Sequence, residues 1–423
     1  MEVRIGTGAK PRPWRTQATR SAGRRGALEI AGIEVWDGER ALGLASVRWQ
    51  DDRIEAVSAA PADAHPGLSL IPGLVDSHVH MVAYAGSAAV DERTWGLTAS
   101  WTEQMLHGAG QGMRALESGV TTVRDLGAFE PPVALRRAID QGALPGPRVV
   151  AFGHVGMTAG HGDLIWPPDV AVRPETADGP DACRSLVRRY ARVGADGIKI
   201  FTSGGVMSLG DKAEWRNQTP AEIGATVDEA HALGMPVAAH AHTQSGIQSA
   251  LDAGVDSLEH ATLITPDQAA QAREQGCVIC PTLLALRRIA AGGEHLPAES
   301  VAKARRLAEA RGDAMRRAAA AGVRFVLGTD GGGSDLPFGS QYEELRAMAG
   351  ELGLTPEEAL VAATSAAART VGLGERAGRI EAGLGPDFLV VRGQPWRDLT
   401  GFGPRSVVAV VARGRVVAGS LPA

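Results

Sequence analysis

Between Ile71 and Leu373 the chain repeats one pattern: a short apolar run ending in polar residues, followed by a longer Ala/Arg/Glu-rich segment with helical period. Eight such runs can be read, Leu74 to His80, Val120 to Leu126, Arg148 to Gly153, Gly197 to Phe201, Pro236 to Ala241, Ser257 to Glu259, Val278 to Thr282 and Arg324 to Thr329. Helix candidates follow, including Pro220 to Leu233 after the fourth run and Val301 to Ala321 after the seventh. Thr355-Pro356-Glu357-Glu358 opens the last with an N-cap and a proline at the first helical position. Eight successive β/α units predict an α/β chain closed into a (β/α)8 TIM barrel over 71–373, with its chemistry at the carboxyl ends of the strands. A doubly wound open sheet is the rival, but no Gly-rich dinucleotide fingerprint follows any run.

Both ends of the chain have a different texture. Leu28 to Val35, Leu42 to Trp49 and Arg53 to Val57 are short alternating segments, and Phe388 to Val391, Ser406 to Ala412 and Arg415 to Val417 are β-branched runs broken by Gly and Pro. Neither piece carries enough apolar surface to stand alone, so 27–70 and 374–423 are expected to join in one small β-sandwich domain. Residues 1–26 are read as a basic, disordered extension, since Met1 to Arg25 holds a net +6 against −11 for the remainder. An acidic body is a poor nucleic-acid partner. With 44% hydrophobic residues but no run long enough to span a bilayer, no membrane partner is expected either. Three cysteines cannot frame a disulfide-rich fold, and without an apolar signal stretch a cytoplasmic location is expected.

The ends of the runs carry the chemistry. In Asp76-Ser77-His78-Val79-His80, residues two apart share a face, so His78 and His80 could meet on one cation, or simply pack as a pair. Lys199 stands inside the fourth run, one of only four lysines in the chain. A buried ammonium costs several kcal/mol unless paired, so Lys199 is either an ion-paired core residue or a neutral amine able to take up carbon dioxide as a carbamate. The fifth run leads into His240 and His242, the sixth into Glu259-His260 and the eighth into Asp330. That many metal-competent groups at strand ends is poorly explained as core filling. Cys277 and Cys280 lie within a run and are read as packing, and Asp125 either orients a ligand or caps a loop.

These stretches, together with Pro72-Gly73-Leu74-Val75 and Ser203-Gly204-Gly205-Val206, resemble the amidohydrolase superfamily. The resemblance is to its imidazolonepropionase-like and Xaa-Pro dipeptidase-like branch, which includes ochratoxin-hydrolysing amidases. It implies a hydrolase of amide C–N bonds with two divalent metal ions, zinc being expected. His78 and His80 would hold one with Asp330, His240 and His260 the other, and carboxylated Lys199 would bridge both along with a hydroxide. Asp330 would shuttle the proton, and His161, in the Gly-flanked loop Ala159-Gly160-His161-Gly162, would assist the carbonyl oxygen or else pack the loop. His242 is expected to contact substrate, and with it Trp166 and Trp215 from the loops after the third and fourth runs, although ordinary loop packing would also explain the tryptophans. Arg216 is a candidate for a substrate carboxylate. The expected substrate is a small linear amide, a dipeptide or N-acyl amino acid with a hydrophobic or aromatic group, acted on by a homo-oligomer. A cyclic-amide hydrolase of imidazolone or lactam rings is the alternative, and a non-catalytic barrel a third reading.

Overall fold

The structure is a computed structural model and describes residues 26–87, 90–127, 130–167, 169–170, 173–293 and 296–422; apart from Gly26, the basic extension expected over 1–26 lies outside them. The two chain ends do meet. Strands β1 (Leu28–Trp36), β2 (Ala41–Gln50), β3 (Arg53–Ala59) and β4 (Leu68–Pro72) share one seven-stranded sheet with three strands from the far end of the chain. β4 pairs antiparallel with the strand Phe388–Arg392 and parallel with β1, which splices the two ends. The Trp49 ring meets Phe388 edge-on at 4.9 Å, although three strand pairings separate them in the sheet, so the sheet curls over a core of its own that includes Ile33, Val47 and Val390.

The barrel is built from β5 (Leu74–Val79), β6 (Val120–Asp125), β7 (Arg148–Val155), β8 (Gly197–Phe201), β9 (Val237–Ala241), β10 (Ser257–His260) and β11 (Val278–Cys280), all parallel and in chain order. Nearly every residue of these strands is buried, as expected of strands covered on both faces. Seven of the eight runs are therefore strands. The eighth, Arg324–Thr329, closes the ring through an isolated bridge from Phe325 to Ile279 on one side, and Gly331, two residues past its end, bridges to Val79 on the other. Its ladder is interrupted because Leu327 N donates to Ala362 O and Thr329 N to the Asp76 carboxylate instead of to a neighbouring strand.

Helix signals were legible in outline. Thr219 and Thr355 each close a capping box, with Glu222 and Glu358, and Pro follows both. The expected helix Val301 to Ala321 is instead two, Ala298–Arg311 and Ala314–Ala320, broken at Gly312 with φ of 48°. A further helix, Leu283–Ala291, packs against Ala298–Arg311 and stands over the barrel mouth. No helix among the described residues is long and apolar enough to cross a membrane.

Closure of the ring depends on Gly328: a Cβ there would lie 2.1 Å from Cys280 Sγ and 2.8 Å from His78 Cβ. Overpacking of this kind costs about 1–3 kcal/mol. Gly328→Ala is expected to lower the unfolding free energy measured by urea titration by an amount in that range, with a correspondingly lower midpoint, and an unchanged midpoint would mean that the closing segment is free to shift.

Candidate active site

The side chains at the mouth fall into two donor groups. On β5 the two-residue period sends His78 and His80 the same way, and the closing segment sets Asp330 against them. Asp330 Oδ1 is 2.8 Å from His80 Nε2 and 3.2 Å from His78 Nε2. Burial alone would raise the Asp330 carboxyl, but His78 and His80 outweigh it and hold it well below the ordinary carboxylate range. Across the barrel, His240, His242 and His260 bring ring nitrogens within 4.8 Å of one another.

Each imidazole of the second group is fixed by its other nitrogen. His240 Nε2 lies 3.2 Å from Gly204 O, His260 Nδ1 2.7 Å from Thr282 Oγ1, and His242 Nδ1 2.8 Å from Thr262 Oγ1. Burial first, then the neighbouring histidines, lowers all three, His242 to about 3, so the rings are neutral with a lone pair available. Neutral imidazole held from behind is the ligand form. The backbone is bent to the same end: His260, Thr282 and Asp330 all take left-handed φ, 68°, 44° and 61°. Such positions cost of order 1 kcal/mol or more each. They end the strands and turn the side chains into the mouth.

Lys199, on β8, lines the same cavity as both groups; it is 2% exposed, with no ion-pair partner among the described residues. Burial brings its ammonium down to about 8 against the pull of Glu259 and Asp330. An unpaired buried lysine is not the ion-paired core residue of the simpler reading. Glu259, the acid whose charge acts on Lys199 most, is committed elsewhere: it accepts from Arg124 Nη2 at 2.7 Å and Ser257 Oγ at 2.7 Å, and its Oε2 lies 2.9 Å from His78 Nδ1. Burial would raise Glu259, but Arg124 and His78 hold it below its ordinary value. Cys280 completes a third possible donor group with His78 and Glu259, yet burial pushes its thiol well up, which leaves it a poor ligand. Asp125 accepts from Met81 N at 2.7 Å and Gly127 N at 3.1 Å, and so caps the turns beside His80.

These groups open into one cavity of about 480 Å³. His78, His80, Lys199, His240, His260 and Asp330 all line it, as do His161, His242 and Trp166. Trp215 does not. It is 45% exposed, with the Lys212 ammonium 6.0 Å from its ring centre, and Arg216 beside it is also exposed. Ala159, where the resemblance would put Gly, takes φ of 59°, the region glycine adopts at no cost. Sequence reasoning passed over His154, which lines the cavity from β7 in register with Lys199 and packs edge-on against Phe201 at 4.6 Å. A histidine near a strand's carboxyl end was the available signal. Arg311, at the end of its helix, lines the cavity as well.

Imidazoles and carboxylates in two clusters about a buried lysine suit divalent cations of the N/O-preferring kind. A profile of the Amidohydrolase family matches residues 69–417. The chain belongs to that family. It is accordingly a hydrolase acting on amide bonds. Among its relatives, ochratoxinase of Aspergillus niger is 33% identical over 379 residues, covering 83% of this chain and 76% of the relative. Imidazolonepropionase of Deinococcus radiodurans is 28% identical, covering 84% and 85%. A prolidase solved with N-methylphosphonate-L-proline superposes with a TM-score of 0.83 at 30% identity, over 93% of this chain and all of that one.

Within this amidohydrolase the Arg124–Glu259 pair bears on stability. Removing one partner of a buried pair costs about 3–5 kcal/mol, so Arg124→Met is expected to lose about that much at neutral pH by chemical denaturation. Because Glu259 is depressed in the fold, the pair's contribution is present above the ordinary glutamate value of 4.5 and shrinks as pH falls below it. A deficit that stayed constant down to pH 3 would show that Glu259 is not the partner that matters.

Proposed function

We propose that this amidohydrolase cleaves a linear amide, a dipeptide or N-acyl amino acid bearing a hydrophobic or aromatic group, with two divalent cations, zinc by the donor set. His78, His80 and Asp330 would hold one, His240 and His260 the other, and a carbamate on Lys199 would join them. The observation that carries this reading is the unpaired, buried Lys199 lining the same apolar-walled cavity as two preformed donor groups. When bound, the cations supply an activated water at neutral pH and polarise the scissile carbonyl.

The rest belongs to the chain. Asp330 is ionised and its side chain remains 26% exposed toward the cavity. One carboxylate oxygen therefore takes the water's proton as the new C–O bond forms and hands it to the leaving nitrogen as the C–N bond breaks. His161, stacked on His240 at 4.4 Å and lining the cavity, would face the carbonyl oxygen. His242, tied through Nδ1, turns its remaining nitrogen to substrate.

Trp166, Phe201, Val206, Leu286, Ile289 and Leu336 form the wall that receives the hydrophobic group. A cavity of this size and lining favours an aromatic linear amide over a small polar ring, and the similarity to a prolidase points the same way. The similarity to imidazolonepropionase keeps the cyclic amide as the alternative.

Lys199→Ala is expected to lose most bound metal by elemental analysis, and short-chain carboxylates should restore part of the activity. Full metal retention would remove the carbamate from the scheme. Asp330→Asn should keep substantial metal yet lose several orders of magnitude in kcat, whereas parallel loss of both would make ligation its main role. Substrate class is tested by kcat/KM for N-acyl and dipeptide amides with aromatic against small side chains. Preference for an imidazolone over every linear amide would overturn the linear reading.

A further inference from the structure

His161 is tied to the outer helices by a buried ion pair that contacts none of the metal-competent groups. Lys303, in the helix Ala298–Arg311, reaches Asp211 Oδ1 at 2.9 Å, and both side chains are almost wholly buried, 3% and 2% exposed. Its Nζ also donates to Ser208 O, and Glu299 lies 3.1 Å away. The other oxygen of Asp211 faces inward. Oδ2 accepts from Gly205 N at 2.9 Å and lies 3.7 Å from His161 Nδ1.

That nitrogen is buried and without a hydrogen-bond partner. The rest of the ring is already confined. One face stacks on His240 with 18° between the planes, and a Cβ on Gly205 would lie 1.8 Å from His161 Cε1, so the ring fills a slot that only glycine leaves open. The backbone is pinned too, with His161 N donating to Asn217 Oδ1 at 2.5 Å. What remains undetermined is the proton on Nδ1. Catalytic hydrogen bonds are commonly long without substrate and shorten in the complex.

We propose that Asp211, anchored by Lys303, is the positioning residue for His161: its Oδ2 accepts the Nδ1 proton and leaves Nε2 as the nitrogen presented to the substrate carbonyl. This rests on the reading that His161 faces the carbonyl oxygen. A carboxylate on one ring nitrogen fixes the orientation of the imidazole, and its negative charge balances a ring carrying N–H at both nitrogens, the form that keeps Nδ1–H on Asp211 while Nε2–H donates a hydrogen bond to the developing oxyanion. Burial opposes an ionised Asp211, but the facing His161 ring together with the hydrogen bonds from Gly205 N and Lys303 Nζ outweighs it and holds the carboxyl below its ordinary value.

The test is Asp211→Asn in the metal-replete protein, alone and combined with His161→Gln. A misaimed group costs about 10²-fold, so kcat should fall by up to that factor while KM and metal content stay near wild type. In the His161→Gln background the same change should cost less than about 3-fold, since residues acting through one another are non-additive. Equal losses in both backgrounds would overturn the proposal. Should Asp211→Asn fail to fold, Lys303→Met removes only the anchor and is expected to show the same non-additivity at smaller size. An independent readout is the ¹⁵N spectrum of histidine-labelled protein, where the Nδ1–H signal that disappears in His161→Gln should also be lost or shifted in Asp211→Asn. An unmoved signal overturns the proposal whatever the rates. If His161→Gln itself leaves kcat unchanged, the carbonyl role of His161 fails, and the proposal falls with it.

Discussion

A carboxylate with no exposed surface, Glu259, stands directly under the metal-competent side chains, and the fold tolerates it because Arg124 reaches it from β6. Arg124 spends its other donors on Ser77 O and Ser257 Oγ, so one guanidinium ties β5, β6 and β10 together at the level of the site. An isolated buried charge would be ruinous in this interior, whereas one paired with a guanidinium and hydrogen-bonded through Oε1 is tolerable. The consequence reaches upward. Glu259 Oε2 stands beside His78 Nδ1, which leaves Nε2 as the nitrogen turned to Asp330 and the cavity. With Glu259 engaged by arginine, Lys199 has no ion-pair partner among the described residues, and its amine stays available.

How far the sequence revealed this depended on the range of each interaction. His78, His80, His240, His260, Lys199 and Asp330 were legible because strand period and position at a run's carboxyl end are local properties, and the structure brings all six to one cavity. The Arg124–Glu259 pair was not, since its partners lie 135 residues apart and each reads as an oddity in an apolar run. Trp166 and Trp215 were indistinguishable as loop residues, because nothing local says which way a loop folds; one lines the cavity and the other faces solvent. The eighth run had the apolar character of a strand, but its ladder is broken by the Asp76 side chain and Ala362 O, partners that come from other segments of the fold. Left-handed φ at His260 and Asp330 was likewise beyond reach, because these residues tolerate that region without advertising it.

Lysine usage shows the same division of labour. The chain overwhelmingly prefers arginine, yet two of its four lysines are buried near the cavity, Lys199 and Lys303. Arginine serves where a charge must stay on, as in Arg124, because its guanidinium is protonated at any accessible pH. Lys199 occupies the opposite niche. A guanidinium could neither lose its proton nor take up carbon dioxide, so only the amine leaves that position chemically adjustable. Lys303 fills a third role: its compact ammonium, with three donors, reaches Ser208 O and Asp211 Oδ1 together.

The same helix that carries Lys303 also shapes the substrate wall. Ala304 and Leu307 pack against Val206, Ala213 and Leu286, a small apolar cluster separate from the main barrel core. Val206 and Leu286 turn their far sides to the cavity. A change in the helix pair Leu283–Ala291 and Ala298–Arg311 would therefore act on two things at once, the shape of the cavity's apolar wall and, through Lys303 and Asp211, the slot that holds His161. The donor groups on β5, β8, β9 and β10 lie outside that cluster and rest on the barrel's own ladder. Specificity can thus vary in the helices while the strands keep the metal-competent geometry, provided that any substitution in the wall leaves the Lys303–Asp211 pair intact.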